Sequence, residues 1–132
     1  MTDLTKIIVA TVWEGQQPWI LARVVGQDGA YINQASVSLI EFTIRDKTDT
    51  EHETAGGDLD KTKIVSDSLI TDDPRWPPNF DSTGYNAKHR VPPGSLPIGG
   101  HHYLYYMRIY DTSSPPDFVI VAADIEAKDL PF

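Results

Sequence analysis

The chain has 132 residues, with 11 Lys and Arg against 19 Asp and Glu, a formal net charge of −8 and no cysteine. That length suits one domain with a real core; the charge argues against nucleic-acid backbones and anionic membranes, which select clustered cations. The missing thiols exclude disulfide staples and thiolate metal sites, and no apolar run approaches the ~18–20 residues of a membrane-crossing helix.

The first six residues, Met1 to Lys6, lack the basic patch and apolar segment of a secretory signal, so synthesis in a cytoplasm is expected. Lys6 to Trp13 then reads as a strand closed by a glycine turn at 14–17. A second run, residues 18–26, stops at Gly26-Gln27-Asp28-Gly29. Asp-Gly is a strong turn signal because glycine accepts positive φ without steric cost. After a short crossing segment at 31–34, residues 37–45 alternate, with Ile40, Phe42 and Ile44 on the side expected to face inward.

Residues 46–61 are polar and charged around Gly56-Gly57, and are expected to form a mobile acidic loop or frayed hairpin tip. Weak β character returns at 62–70. Residues 72–100 hold six of the ten prolines, too dense for a sheet interior or a helix because each removes a donor and fixes φ. This stretch is expected to be a long excursion used in contacts, with one short strand at 85–91.

The clearest signal lies at 101–127. His102, Leu104, Tyr106, Arg108 and Tyr110 share one side of a strand, and Tyr103, Tyr105, Met107 and Ile109 share the other. After a Ser-Pro turn, Val119, Val121, Ala123 and Ile125 share a face, while Asp124 and Glu126 mark the wet one. Seven strands with Gly and Pro turns and no competing amphipathic helix predict an all-β fold. The expected architecture is a seven-stranded immunoglobulin-like antiparallel sandwich in one domain, residues 1–132.

Catalytic and ligand chemistry finds little support. His101 and His102 are neighbours on a strand and point to opposite faces, so they do not easily share an ion; His102 with His89 or His52 is left as the pair that could form a site, but there is no helical His-Glu-x-x-His motif. Asp58, Asp60, Asp67, Asp72, Asp73 and Asp81 lack the alternation of an EF-hand loop and read as a solvated face. There is no Gly-x-Ser-x-Gly elbow and no phosphate-cradling glycine loop. No enzyme activity, cofactor or metal is expected. Trp19, Trp76, Phe80 and Tyr85, with Asp72, Asp73 and Asn79, compose an alternative sugar-stacking platform. Against it stands the plainer reading that Trp76 pins the proline-rich stretch to the body while Trp13 or Trp19 packs between the sheets. The excess of tyrosine at 103–106 points to docking or self-association. The expected partner-contact residues are Trp76, Pro77, Pro78, Phe80, Tyr85, Tyr103 and Tyr105.

Two stretches carry a resemblance. Lys6 to Val12, a turn, Trp19 to Val25, then Asp28-Gly29-Ala30-Tyr31-Ile32 leading into Ala35 to Arg45, resembles the opening of small immunoglobulin-like modules in tailed-bacteriophage virion proteins. Leu96 to Tyr110 is similar to their strand pair after a proline-glycine turn. The acidic stretch at 46–61 and Asp72 to Pro78 depart from that pattern. The resemblance implies a non-enzymatic virion component, made in the host bacterial cytoplasm: a capsid decoration (cement) protein or a neck, tail or baseplate adaptor. Its implied partners are copies of itself and other virion proteins such as the major capsid protein, with no nucleic acid and no membrane.

Overall fold

The computed structural model describes residues 6–9, 12–48 and 52–129. Within them eight strands of four or more residues and one two-residue strand form two sheets packed as a sandwich. The first sheet has the order β1-β3-β7-β6, from Lys6–Val9 (β1), Trp19–Arg23 (β3), Tyr85–Arg90 (β7) and Val65–Ile70 (β6). The second has the order β2-β9-β8-β4-β5, from Val12–Trp13 (β2), Phe118–Lys128 (β9), His102–Asp111 (β8), Val37–Asp46 (β4) and Glu53–Leu59 (β5).

Alternation dictates the interface between the sheets. Ile40, Phe42 and Ile44 of β4, Tyr103, Tyr105, Met107 and Ile109 of β8, and Val121, Ala123 and Ile125 of β9 meet Ile20, Ala22, Ala87 and Val65 from the other sheet. A half-buried strand places every second side chain inward, so the period-two pattern of the sequence becomes the core directly. Among the described residues α-helix is limited to the single turn Lys61–Ile64 (α1), capped by the Asp60 carboxylate, which accepts from the Thr62 amide.

Three expectations need correction. The strand predicted over 6–13 is two strands: β1 pairs antiparallel with β3, and β2 pairs parallel with β9, so the chain changes sheets between them. Residues 10–11 of that run lie outside the described residues. The acidic stretch predicted as a mobile loop at 46–61 contains β5, which pairs with β4 from Ile40↔Leu59 to Arg45↔Glu53 and supplies the strand beyond the predicted seven; its residues 49–51 are likewise outside the description. Ala55 and Leu59 are partly buried against the core and Gly57 lies opposite Phe42. An inward row of Ala, Gly and Leu is enough to hold an edge strand there. Finally, 72–100 is not one excursion. β7 runs through it as an interior strand between β3 and β6, and Leu96 closes one end of the core with no exposure.

The buried Asn86 side chain extends the first sheet beyond β3. Its Nδ2 donates to the Val24 and Ile32 carbonyls at 3.0 and 3.3 Å, and its Oδ1 accepts from the Val24 amide at 2.8 Å. A side-chain amide thus does a backbone's work where the strand ends.

Candidate protein-contact surface

Of the predicted contact residues, Trp76, Tyr85, Tyr103 and Tyr105 are buried within their own chain, Pro77 and Phe80 are half-buried, and Pro78 is exposed. Four of the seven therefore offer no side chain to a partner in this fold. The cause lies in the first sheet. Ile20 and Ala22 point into the sandwich, so Leu21 and Trp19 point out of it. Residues 71–84 fold back over that outer face: Trp76 packs with Leu21 and Tyr85, with Phe80 and Ile70 at the margin. The Trp76 ring meets Phe80 edge-on at 4.9 Å and Tyr85 at 5.5 Å between centroids.

Polar contacts lock this cover. Asp73 accepts one bond from the Arg75 amide, three from the Arg75 guanidinium and one from the Tyr85 hydroxyl at 2.5 Å. The Arg75 bonds hold the Asp73 carboxyl far below the usual carboxylate range, while burial, then the Asp73 bond, pushes the Tyr85 phenol up to about 12. Arg75 also lies 4.9 Å above the Trp19 ring, with the Lys88 ammonium at 5.9 Å. Trp19 is thus half-buried outside the sandwich and Trp13 is exposed, and neither packs between the sheets. With Trp76 and Tyr85 enclosed, the sugar-stacking platform composed from the sequence is not assembled.

Tyr103 and Tyr105 face the core. The Tyr103 hydroxyl accepts the Ile98 amide at 3.0 Å, and the Tyr105 hydroxyl lies 2.8 Å from His89 Nδ1 between the sheets. Burial pulls His89 down to about 4 and raises the Tyr105 phenol far above its ordinary value.

The outward tyrosines of β8 are Tyr106 and Tyr110. Around them the outer face of the second sheet carries an apolar patch. Leu39, Tyr110 and Phe118 stand side by side across β4, β8 and β9, and Ile120 flanks them opposite Arg108. Leu39 is 39% exposed, Phe118 38% and Ile120 48%. The Tyr110 and Phe118 rings are 5.3 Å apart. Ala122, Tyr106 and Thr43 form the next row, and Leu104 the one beyond. Single exposed apolar side chains are ordinary, but adjacent ones on one sheet face make a candidate contact surface. The sequence-based contact set omits Leu39, Phe118 and Ile120, although the alternation that turns Val119 and Val121 inward turns Phe118 and Ile120 outward.

Several of the other candidate residues bond within the chain. His101 Nδ1 contacts the fully buried Asp46 carboxylate at 2.7 Å, and His102 Nδ1 contacts Asp124 at 3.1 Å. Asp60 caps α1, Asp67 accepts the Gln34 amide, and Asp81 pairs with Arg23. Among the described residues no three His, Asp or Glu side chains converge as metal ligands. A cleft of about 350 Å³ lies between residues 26–36 and 111–113. Its carboxylates bond their own loops: Asp28 takes the Ala30 amide, and Asp111 takes the amides of Ser113 and Asp117.

The fold and this surface define the class: an all-β sandwich with an uncovered aromatic sheet face. No protein-family model, curated protein or solved structure matches the chain.

Proposed function

We propose that this chain is a non-enzymatic structural component of a bacteriophage virion, a capsid decoration (cement) protein or a neck, tail or baseplate adaptor that works through protein–protein contact. The observation that carries the reading is the apolar face of β4, β8 and β9, where Leu39, Tyr110, Phe118 and Ile120 adjoin. A face of this kind gains by being buried against another protein. The strand orders β1-β3-β7-β6 and β2-β9-β8-β4-β5 support an immunoglobulin-like topology with two strands added, one at each edge of the second sheet, and hence the resemblance to phage virion modules. The proposed partners are copies of the chain and other virion proteins such as the major capsid protein. The proposed location is the virion, with assembly in the host cytoplasm.

Co-expression with the products of the neighbouring genes tests this. The chain is expected to co-sediment with assembled shells or tails. Particles that form in full without incorporating it, or a catalytic turnover traced to the purified chain, would overturn the proposal.

A further inference from the structure

The outer edge of β9 is distinguished by its backbone. The ladder with β8 keeps one register from His102↔Glu126 to Tyr110↔Phe118. Along that line Ala127 N donates to the His101 carbonyl at 3.0 Å and Asp111 N to the Asp117 carbonyl at 2.8 Å, so odd-numbered residues turn their N–H and C=O towards β8. Even-numbered residues of β9 turn theirs away, as an antiparallel ladder requires. At the two ends of this outer edge the Lys128 carbonyl accepts Glu14 N and the Phe118 carbonyl accepts Gln27 Nε2, both at 2.9 Å. The β2 strand reaches only Ala127 and Lys128. Among the described residues none meets the outward N–H and C=O of Ile120, Ala122 and Asp124, all three exposed.

The other edge strands of the two sheets are each guarded. Strands β1 and β2 have four and two residues. Strand β6 is irregular between Val65 and Ile70, and β5 carries Glu53 and Asp58 beside a register shift at Ile44/Arg45. Shortness, bulges and charge are the devices that keep a strand edge from pairing with another chain. From Phe118 to Asp124 β9 is regular and holds one charge, Asp124, which already takes Lys47 at 2.7 Å and His102 at 3.1 Å. We infer that this edge pairs with the same edge of a second copy, antiparallel about a two-fold axis at Ala122, so that the second sheets of the two copies become one. Pairing needs an unguarded edge on both sides, and every copy of the chain supplies one, which a two-fold axis brings onto its own image. A single register pairs the three open residues with one another alone: Ala122 meets the partner's Ala122, and Ile120 meets the partner's Asp124. Each such pair exchanges two hydrogen bonds. Phe118 then lies opposite the partner's Glu126, so no like charges face each other, and a small side chain sits on the axis. The pairing uses the backbone edge of β9 and not the apolar face beside it, so it stands or falls separately from the reading of that face.

Because the chain has no cysteine, introduced cysteines report the register. Ala122→Cys is expected to oxidise to a disulfide-linked pair, its two Cα atoms lying ~5.5 Å apart across the axis. Ile120→Cys alone is expected to give none, because four strand positions, ~13 Å, separate it from its own image; mixed with Asp124→Cys chains it is expected to give the crossed pair. Light scattering of the unmodified chain is expected to show the mass rising from one chain to two with concentration. Ala122→Pro removes an outward N–H that β8 does not use, and Ala122→Lys places like charges on the axis. Each is expected to hold the single mass with an unchanged far-ultraviolet circular dichroism spectrum. A single-chain mass at every concentration overturns the inference, as does cross-linking of Ile120→Cys as efficient as that of Ala122→Cys. Association that survives both Ala122→Pro and Ala122→Lys also overturns it, and passes the contact between copies to another surface.

Discussion

Arg23 of β3 and Asp81 of the proline-rich segment form an ion pair across 58 positions of sequence, with only 7% of either side chain exposed. Burial alone raises the Asp81 carboxyl, yet the Thr83 amide and the Arg23 charge outweigh it and the group titrates below its ordinary value. The pair ties the cover of the first sheet to the strand beneath it. Removing one partner of a buried pair leaves the other charge desolvated, so Asp81→Ala is expected to cost about 3–5 kcal/mol. Urea denaturation at neutral pH measures it. Arg23→Met combined with Asp81→Leu is expected to cost less than Asp81→Ala alone.

Trp76 supplies the apolar half of the same lock. Its ring is fully buried against Leu21 and Tyr85, so Trp76→Ala is expected to cost about 3–5 kcal/mol. The indole Nε1 has no hydrogen-bond partner, and Trp76→Phe, which removes that buried donor, is expected to retain most of the stability. Deletion of residues 74–80 is expected to unfold the first sheet's outer face, not to release a folded chain that merely fails to assemble.

The burial of His89 makes stability depend on acid. The unfolded chain takes up a proton near pH 6.5, whereas the fold resists it until about pH 4 because His89 is buried. The contribution is complete above about pH 6.5, declines as the pH falls, and by pH 4 has lost roughly 3 kcal/mol. Unfolding midpoints between pH 7 and 4 should follow this slope. His89→Phe with Tyr105→Phe should flatten it over that window.

Gly84 marks the join between the cover and β7. Its φ is +102°, and a Cβ there would sit 2.6 Å from the Ile70 carbonyl oxygen. Gly84→Ala is expected to destabilise by about 1–3 kcal/mol, through strain at positive φ and displacement of the β6 end. Thermal unfolding reads the effect directly.

Strands that alternate strongly are legible in the sequence. Ile40, Phe42 and Ile44 fall on the expected side because one face is wet and the other dry; on β8 the alternation holds, but apolar residues occupy both sides, and the row with Tyr103 and Tyr105, expected at a contact, is the buried one. β5 was hidden because its inward row is only Ala55, Gly57 and Leu59, which carries little hydrophobic contrast among acids. Of the predicted contact set, Trp76 and Tyr85 were misread for a different reason. Local pattern does not say that the outer face of the first sheet presents Leu21 and Trp19 and needs a cover, so a proline-rich segment that closes the fold looks like an arm that leaves it. The outward patch at Leu39, Phe118 and Ile120 lay in the same alternation that identified the core, on the side assigned to solvent.

The most direct measurement of the central claim is a cryo-electron microscopy map of particles assembled with this chain. The account predicts density from a neighbouring subunit against Tyr110, Phe118 and Ile120, with residues 71–84 folded on their own sheet. A map in which that face meets only solvent while Trp76 inserts into a neighbour would contradict it.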